Sequence, residues 1–210
     1  LAAVLLPSLV FAHINLKAFW ARDVQDGYSM PVYVDSLELD SRLANGVVTT
    51  VMTFKLRPGL PYNYTPGSST VLDSIEMTAN FSLGQDFVAR NMWLWVDGEP
   101  QTAYIQDRAL ASEQYTSIVG VRQDPALLQT WGGGNYSLRI FPATVNVGRK
   151  IAIEFQHTAN DSTDGLIRAL LPLQLDTATY YYTQYDTMAV GHVRVSVRTT
   201  DPRFYTFTMP

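Results

Sequence analysis

Residues 108–142, RALASEQYTSIVGVRQDPALLQTWGGGNYSLRIFP, decide how this chain folds. Over 109–119, Leu110, Ala111, Tyr115, Ile118 and Val119 fall on one stripe at helical spacing, which predicts a short amphipathic helix. Asp107 stands where an N-cap accepts backbone N–H bonds, and Gly120 stands where a helix ends. Asp124-Pro125 breaks the chain, and a second short turn is expected over Ala126, Leu127 and Leu128. Trp131-Gly132-Gly133-Gly134-Asn135 then reads as a tight turn into a strand over 137–141, with Leu138 and Ile140 inward. The unit positions a helix against a sheet.

Outward from this unit, period-2 alternation dominates. Val48, Thr50, Met52, Phe54 and Leu56 share one face, as do Ile75, Met77, Ala79, Phe81 and Leu83. Ile151, Ile153 and Phe155 repeat the pattern, and so do Val193, Val195 and Val197. One-faced alternation belongs to antiparallel sheets with one buried side. Residues 87–96 differ, with Met92, Leu94 and Val96 on one face and Trp93 and Trp95 on the other. A strand apolar on both faces needs a cover, and the helix over 109–119 is expected to supply it for the two tryptophans. Asn45-Gly46, Pro58-Gly59, Asp97-Gly98 and Asn146-Val147-Gly148 supply turn chemistry. Residues 60–69 and 160–165 are expected to be exposed loops. The fold class is mainly β: an antiparallel β-sandwich with a short helical insert over 31–200, preceded by a linker at 13–30.

The chain has 210 residues, 47% of them apolar and 16% charged, enough to bury a core and too apolar for disorder. A net charge of -4 argues against a nucleic-acid partner. Cysteine is absent, which excludes disulfides and thiolate chemistry. Residues 1–12, LAAVLLPSLVFA, end in Val10-Phe11-Ala12 with small residues at the -3 and -1 positions of a cut after Ala12. They read as the apolar region of a secretory signal peptide, or as the end of a transmembrane segment. Either places the remainder outside the cytoplasm: secreted, periplasmic, or anchored at the cell surface through the N-terminus or a C-terminal segment. Residues 201–210 read as the opening of a following segment.

Tests for catalytic constellations select none. The Gly132–Gly134 run lacks the Lys and the helix of a phosphate loop. His13, His157 and His192 have no metal-ligand spacing, and no GxSxG elbow is present. Asp161 and Asp164 lack the rest of a calcium loop, and Asp97 and Glu99 belong to a hairpin turn. No catalytic, cofactor or metal residue is assigned. Tyr180, Tyr181 and Tyr182 form the candidate interaction surface. Trp93, Trp95 and Trp131, with the tyrosine run, leave a carbohydrate-binding sandwich as the alternative. Asn63, Asn80, Asn135 and Asn160 head Asn-x-Ser/Thr sequons, glycan acceptors if the source is eukaryotic.

The order Ala109-Leu110-Ala111, Tyr115, Asp124-Pro125-Ala126-Leu127-Leu128, Trp131-Gly132-Gly133-Gly134-Asn135 and Leu138-Arg139-Ile140-Phe141-Pro142, closing on the strand over 151–156, resembles the vault protein inter-alpha-trypsin (VIT) domain. The resemblance covers roughly 32–158. Where that family tends to have Phe-Pro-Leu, this chain has Phe81-Ser82-Leu83. The resemblance implies a non-catalytic sandwich that contacts a protein partner or a downstream domain of the same chain. In that family a von Willebrand type A domain often follows, and the metal site belongs to it. Its Asp-x-Ser-x-Ser motif does not occur in this sequence.

Overall fold

The computed structural model describes residues 19–61, 63, 72–103, 108–120, 125–161, 167–168 and 191–199. Its elements in chain order are β1 (Phe19–Asp23), β2 (Ser29–Ala44), β3 (Val47–Pro58), β4 (Ile75–Ser82), β5 (Val88–Val96), β6 (Glu99–Thr102), α1 (Arg108–Gly120), β7 (Ala126–Gly132), β8 (Asn135–Ala143), β9 (Arg149–Thr158), β10 (Asn160–Asp161), β11 (Ile167–Arg168) and β12 (Val193–Thr199). The fold is mainly β with one short helix. No helix among the described residues is long and apolar enough to cross a membrane.

One sheet runs β6-β5-β9-β3-β2-β1-β4-β8-β7, with β12 also paired to β2. It curls so that two layers face each other, continuous through β2. This refines the expectation of a sandwich: the layers are one sheet turned over. The strand β2 is long enough for both roles. Near its start, Ser29, Met30 and Pro31 pair with β1, and residues 37–43 pair with β12 on that same flank. Between them a bulge at Val34/Ser36 inserts Asp35. Burial shifts phase there, from Met30, Val32 and Val34 to Leu37, Leu39, Ser41 and Leu43. A bulge adds one residue to one strand and bends it, and here the bend carries the chain from one layer to the other. Arg57 holds the inserted Asp35 with Nε and Nη2 at 3.2 and 3.1 Å from Oδ1.

The core is filled from both layers. Phe81 and Tyr136 of one layer meet Phe155 of the other at ring-centroid distances of 6.1 and 5.2 Å. Phe19 meets Phe54 at 5.9 Å. The inward faces expected for β3, β4, β8 and β9 are all buried. Thr50, the polar member of the β3 set, is fully buried and bonds Ser41 at 2.8 Å, so neither hydroxyl is left unpaired. The Asn45-Gly46 and Asp97-Gly98 turns have positive φ at both residues, the geometry that matches strand twist in two-residue hairpins.

Four expectations about the strands need correction. Residues 19–30 are not linker: β1 lies between β2 and β4, with Phe19, Ala21 and Met30 buried. Residues 126–128 begin a strand, because β7 finds a partner in β8 along Ala126↔Ile140 to Gly132↔Asn135. Ladder bonds outweigh the local turn preference after Pro125. The strand β12 is parallel to β2, not antiparallel. Within the loop expected at 160–165, Asn160 and Asp161 instead pair with Arg168 and Ile167. Residues 1–18, with His13, and Asp107, Asp164, Tyr180, Tyr181, Tyr182 and residues 201–210 lie outside the described residues.

The glycine run joins β7 to β8 and also extends the β4–β8 pairing past Ser82 and Asn135. Gly132, Gly133 and Gly134 all have positive φ, and the Gly134 carbonyl accepts the Leu83 N–H at 3.0 Å. A Cβ at Gly134 would sit 1.7 Å from the Gly84 carbonyl oxygen, whereas one at Gly133 would meet only the Asn135 amide at 3.6 Å. Gly134→Ala is expected to cost ~2–4 kcal/mol, from left-handed strain plus overpacking. Gly133→Ala is expected to cost ~1 kcal/mol from strain alone. Urea unfolding of the two variants side by side checks the order. Equal losses would show that the Gly84 contact is not the limiting one.

Candidate functional site: a groove between two strand edges

The helix does not cover Trp93 and Trp95. Both rings are half-buried on the face of β5 opposite Met92 and Leu94, and the Lys150 ammonium lies 4.1 Å from the Trp95 ring centroid. Instead α1 packs against the β7 end of the sheet. Tyr115 is its buried residue and forms a small cluster with Leu127 and Phe141, flanked by Ala111 and Val119. Leu110, expected on the buried stripe, is exposed.

Tyr115 also carries the polar anchor of the helix. Its hydroxyl donates to Glu76 Oε1 at 2.7 Å. Arg139 reaches the same carboxylate through Nε at 3.0 Å and Nη2 at 3.1 Å. The guanidinium sits 4.6 Å from the Tyr115 ring centroid. Burial first, then the bond to Glu76, pushes the Tyr115 pKa far above its ordinary value, so the phenol remains a donor. At its N-terminal end the helix is tied to β7 by Arg108, whose guanidinium lies 4.6 Å from the Trp131 ring centroid. These ties set α1 beside a gap.

The gap is a groove of about 660 Å³ between β5 and β7, with α1 along it. Phe87, Met92, Leu128 and Tyr136 give it an apolar floor. Gly132, Gly133 and Gly134 close one end, where Gly134 is bonded to Leu83 after β4. Gln85, Asn91, Gln114 and Gln129 supply amides, and Arg90 and Arg108 supply charge. Among the described residues no Asp, Glu or His lines it. Arg90 occupies a second bulge, between Ala89 and Asn91 in the register with β9, which re-aims its side chain relative to a regular strand.

His157 supports the floor from behind. It is buried, with its ring centroid 4.3 Å from that of Phe87. Burial lowers its pKa to about 4, partly opposed by the charge of Asp86. Tyr136, whose pKa burial raises, donates to the Phe87 carbonyl at 2.7 Å. His192 is exposed just before β12. Among the described residues no group of three or more His, Cys, Asp or Glu side chains could hold a metal ion.

The remaining sequence candidates are scattered. Asn63, Asn80 and Asn135 are exposed, Asn80 on the polar side of β4 as expected, and Asn160 lies in β10. Of the tryptophans weighed for sugar stacking, Trp131 is 62% exposed but lies against Arg108, and Trp95 lies against Lys150. Trp20, 43% exposed on β1, was not singled out by the sequence. Neither were Arg90 and Arg108, which have no motif around them. The sequence signals at the groove were its apolar floor, the Tyr115 helix stripe and the Gly132–Gly134 run.

No family model and no curated protein matches the chain. Among solved structures it is similar to yeast leukotriene A4 hydrolase in complex with bestatin, at 13% identity and a TM-score of 0.31, over 69% of this chain and 15% of that one. It is also similar to native leukotriene A4 hydrolase from Saccharomyces cerevisiae, at 12% identity and a TM-score of 0.31, over 62% and 16%. The chain thus spans a small part of those proteins, and a likeness this distant carries no argument about activity.

Two measurements check the site. Tyr115→Phe removes a hydrogen bond to a charged acceptor and is expected to cost ~1–2 kcal/mol, with faster amide exchange in α1 read by mass spectrometry. His157 is neutral in the fold, with its pKa near 4, and titrates near 6.5 when unfolded. Protonation therefore favours the unfolded chain. Stability from this group is full above pH 6.5 and is lost as pH falls toward 4. Between pH 7 and pH 5 the loss is expected to be ~2 kcal/mol. In His157→Gln that difference shrinks, as urea midpoints at the two pH values would show.

Proposed function

We propose that this chain is a non-catalytic, VIT-type interaction module of an extracytoplasmic protein, which binds a protein partner or a neighbouring domain of its own chain. The observation that supports this most is the groove. It has the apolar floor and the amide and arginine rim of a recognition surface, framed by the Leu83–Gly134 bond and the Tyr115–Glu76–Arg139 anchor. The helix–turn–strand order from residue 108 to 142 that resembles the VIT family builds one wall of it.

A photo-cross-linking side chain at position 88, exposed at the rim, tests the reading in the protein as its own cells make it. Adducts are expected with polypeptide, mapping to a defined partner or domain. The same side chain at position 38, exposed on β2 away from the groove, is expected to give none. Equal capture at both positions, or adducts only with glycans or small molecules, would overturn the proposal.

A further inference from the structure

The two walls of the groove are strand edges. At the end of the sheet, β7 pairs with β8 on one side, and among the described residues no strand pairs with its other edge. On β5, the hairpin partner β6 takes only Trp93, Leu94, Trp95 and Val96. Residues 88–91 pair with β9 alone among the described residues. Both open edges border the same cavity. An open edge presents a row of backbone N–H and C=O groups in the spacing that another strand matches. The bulges at Arg90 and Trp131 mark where each regular edge ends. On β7 this leaves residues 126–130, about 17 Å of strand at ~3.3 Å per residue.

The floor and rim then specify what the added strand carries. Successive side chains of a strand point to opposite faces, so alternate ones would meet Phe87, Met92, Leu128 and Tyr136. The others would face the rim, whose charged members among the described residues are Arg90 and Arg108, with no acidic residue among them. Stacking on Trp131 orients the Arg108 guanidinium before anything binds. Two guanidinium groups, that of Arg108 already oriented, favour a carboxylate, which each can bind with two parallel N–H donors.

We propose that the groove takes an extended peptide from a protein partner, added as a strand on the β7 or β5 edge, with apolar side chains inward and a carboxylate outward to Arg90 and Arg108. This rests on the reading of the chain as an interaction module and names what that module binds.

The test is fluorescence anisotropy with a labelled seven-residue peptide of alternating valine and glutamate, titrated with the whole chain. Saturable binding is expected. Lysine in place of glutamate, or the pair Arg90→Glu and Arg108→Glu, is expected to weaken it at least tenfold. Glutamate in the first turn of α1 suits the helix dipole, so the variant is expected to fold, and its thermal midpoint verifies that. N-methylation of every second peptide amide removes the ladder donors and is expected to abolish binding. No binding of the glutamate peptide, equal binding of the lysine peptide, or indifference to N-methylation would overturn the proposal. So would sedimentation showing a dimer that occupies the edge with a second copy. If the peptide fails while cross-links at position 88 persist, only the strand inference falls; if both fail, the module reading falls with it.

Discussion

A sheet with one apolar face must bury that face against something apolar, and here it does so against itself through β2. The extra residue at Asp35 bends that strand, so β1, β4, β8 and β7 fold over β3, β9 and β5. The same residue changes which side chains face inward along β2, so Val32 and Val34 before it and Leu37 and Leu39 after it still point into one core. Arg57 neutralises the carboxylate that the bulge turns outward, and Gly191 leaves room for the Asp35 backbone, since a Cβ there would approach its carbonyl to 2.7 Å. The closed shape, and hence the groove at its unclosed seam, follows from that bend.

Much of this was legible in the chain. Strands with one wet face announce themselves by period-2 alternation, and β3, β4, β8 and β9 did so. The turns were equally plain, because Asn-Gly and Asp-Gly are among the few pairs that accept positive φ twice in succession. The bulge left a trace that period-2 reading missed: Met30, Val32 and Val34 are even-numbered, while Leu37, Leu39 and Leu43 are odd. A strand template of constant phase sees only a broken pattern there. What the sequence could not convey was partnership. β1 is five residues long and looks like connecting chain until β2 and β4 flank it. Residues 126–128 follow a proline and look like a turn until β8 supplies a ladder. The helix placement failed for a related reason. An apolar stripe states that a helix packs, not on what. The two tryptophans of β5 were a plausible floor by hydrophobicity alone, but Tyr115 and its hydroxyl needed Glu76 on the far layer.

The groove was illegible for a deeper reason. Its character comes from open backbone edges and from two arginines that no motif links, Arg90 at a bulge and Arg108 at a helix start. Backbone edges have no sequence signature, since every residue carries the same amide. Composition reported a net negative chain, yet among the described residues the lining carries arginine and no carboxylate, so the average charge concealed the local one.

The parallel pairing of β12 with β2 bears on how the protein is made. Arg198 and Asp40, bonded across that pair, are 158 positions apart in sequence. A ribosome adding roughly 5–20 residues per second delivers β12 about 8–30 s after its partner. For that interval residues 37–43 of β2 have β3 on one edge and nothing of β12 on the other. An apolar strand waiting with a bare edge can recruit another nascent chain. The charges at Glu38, Asp40 and Arg42, interleaved with its leucines, make such mispairing less favourable during synthesis. They are thus placed for the history of the chain as well as for its final state.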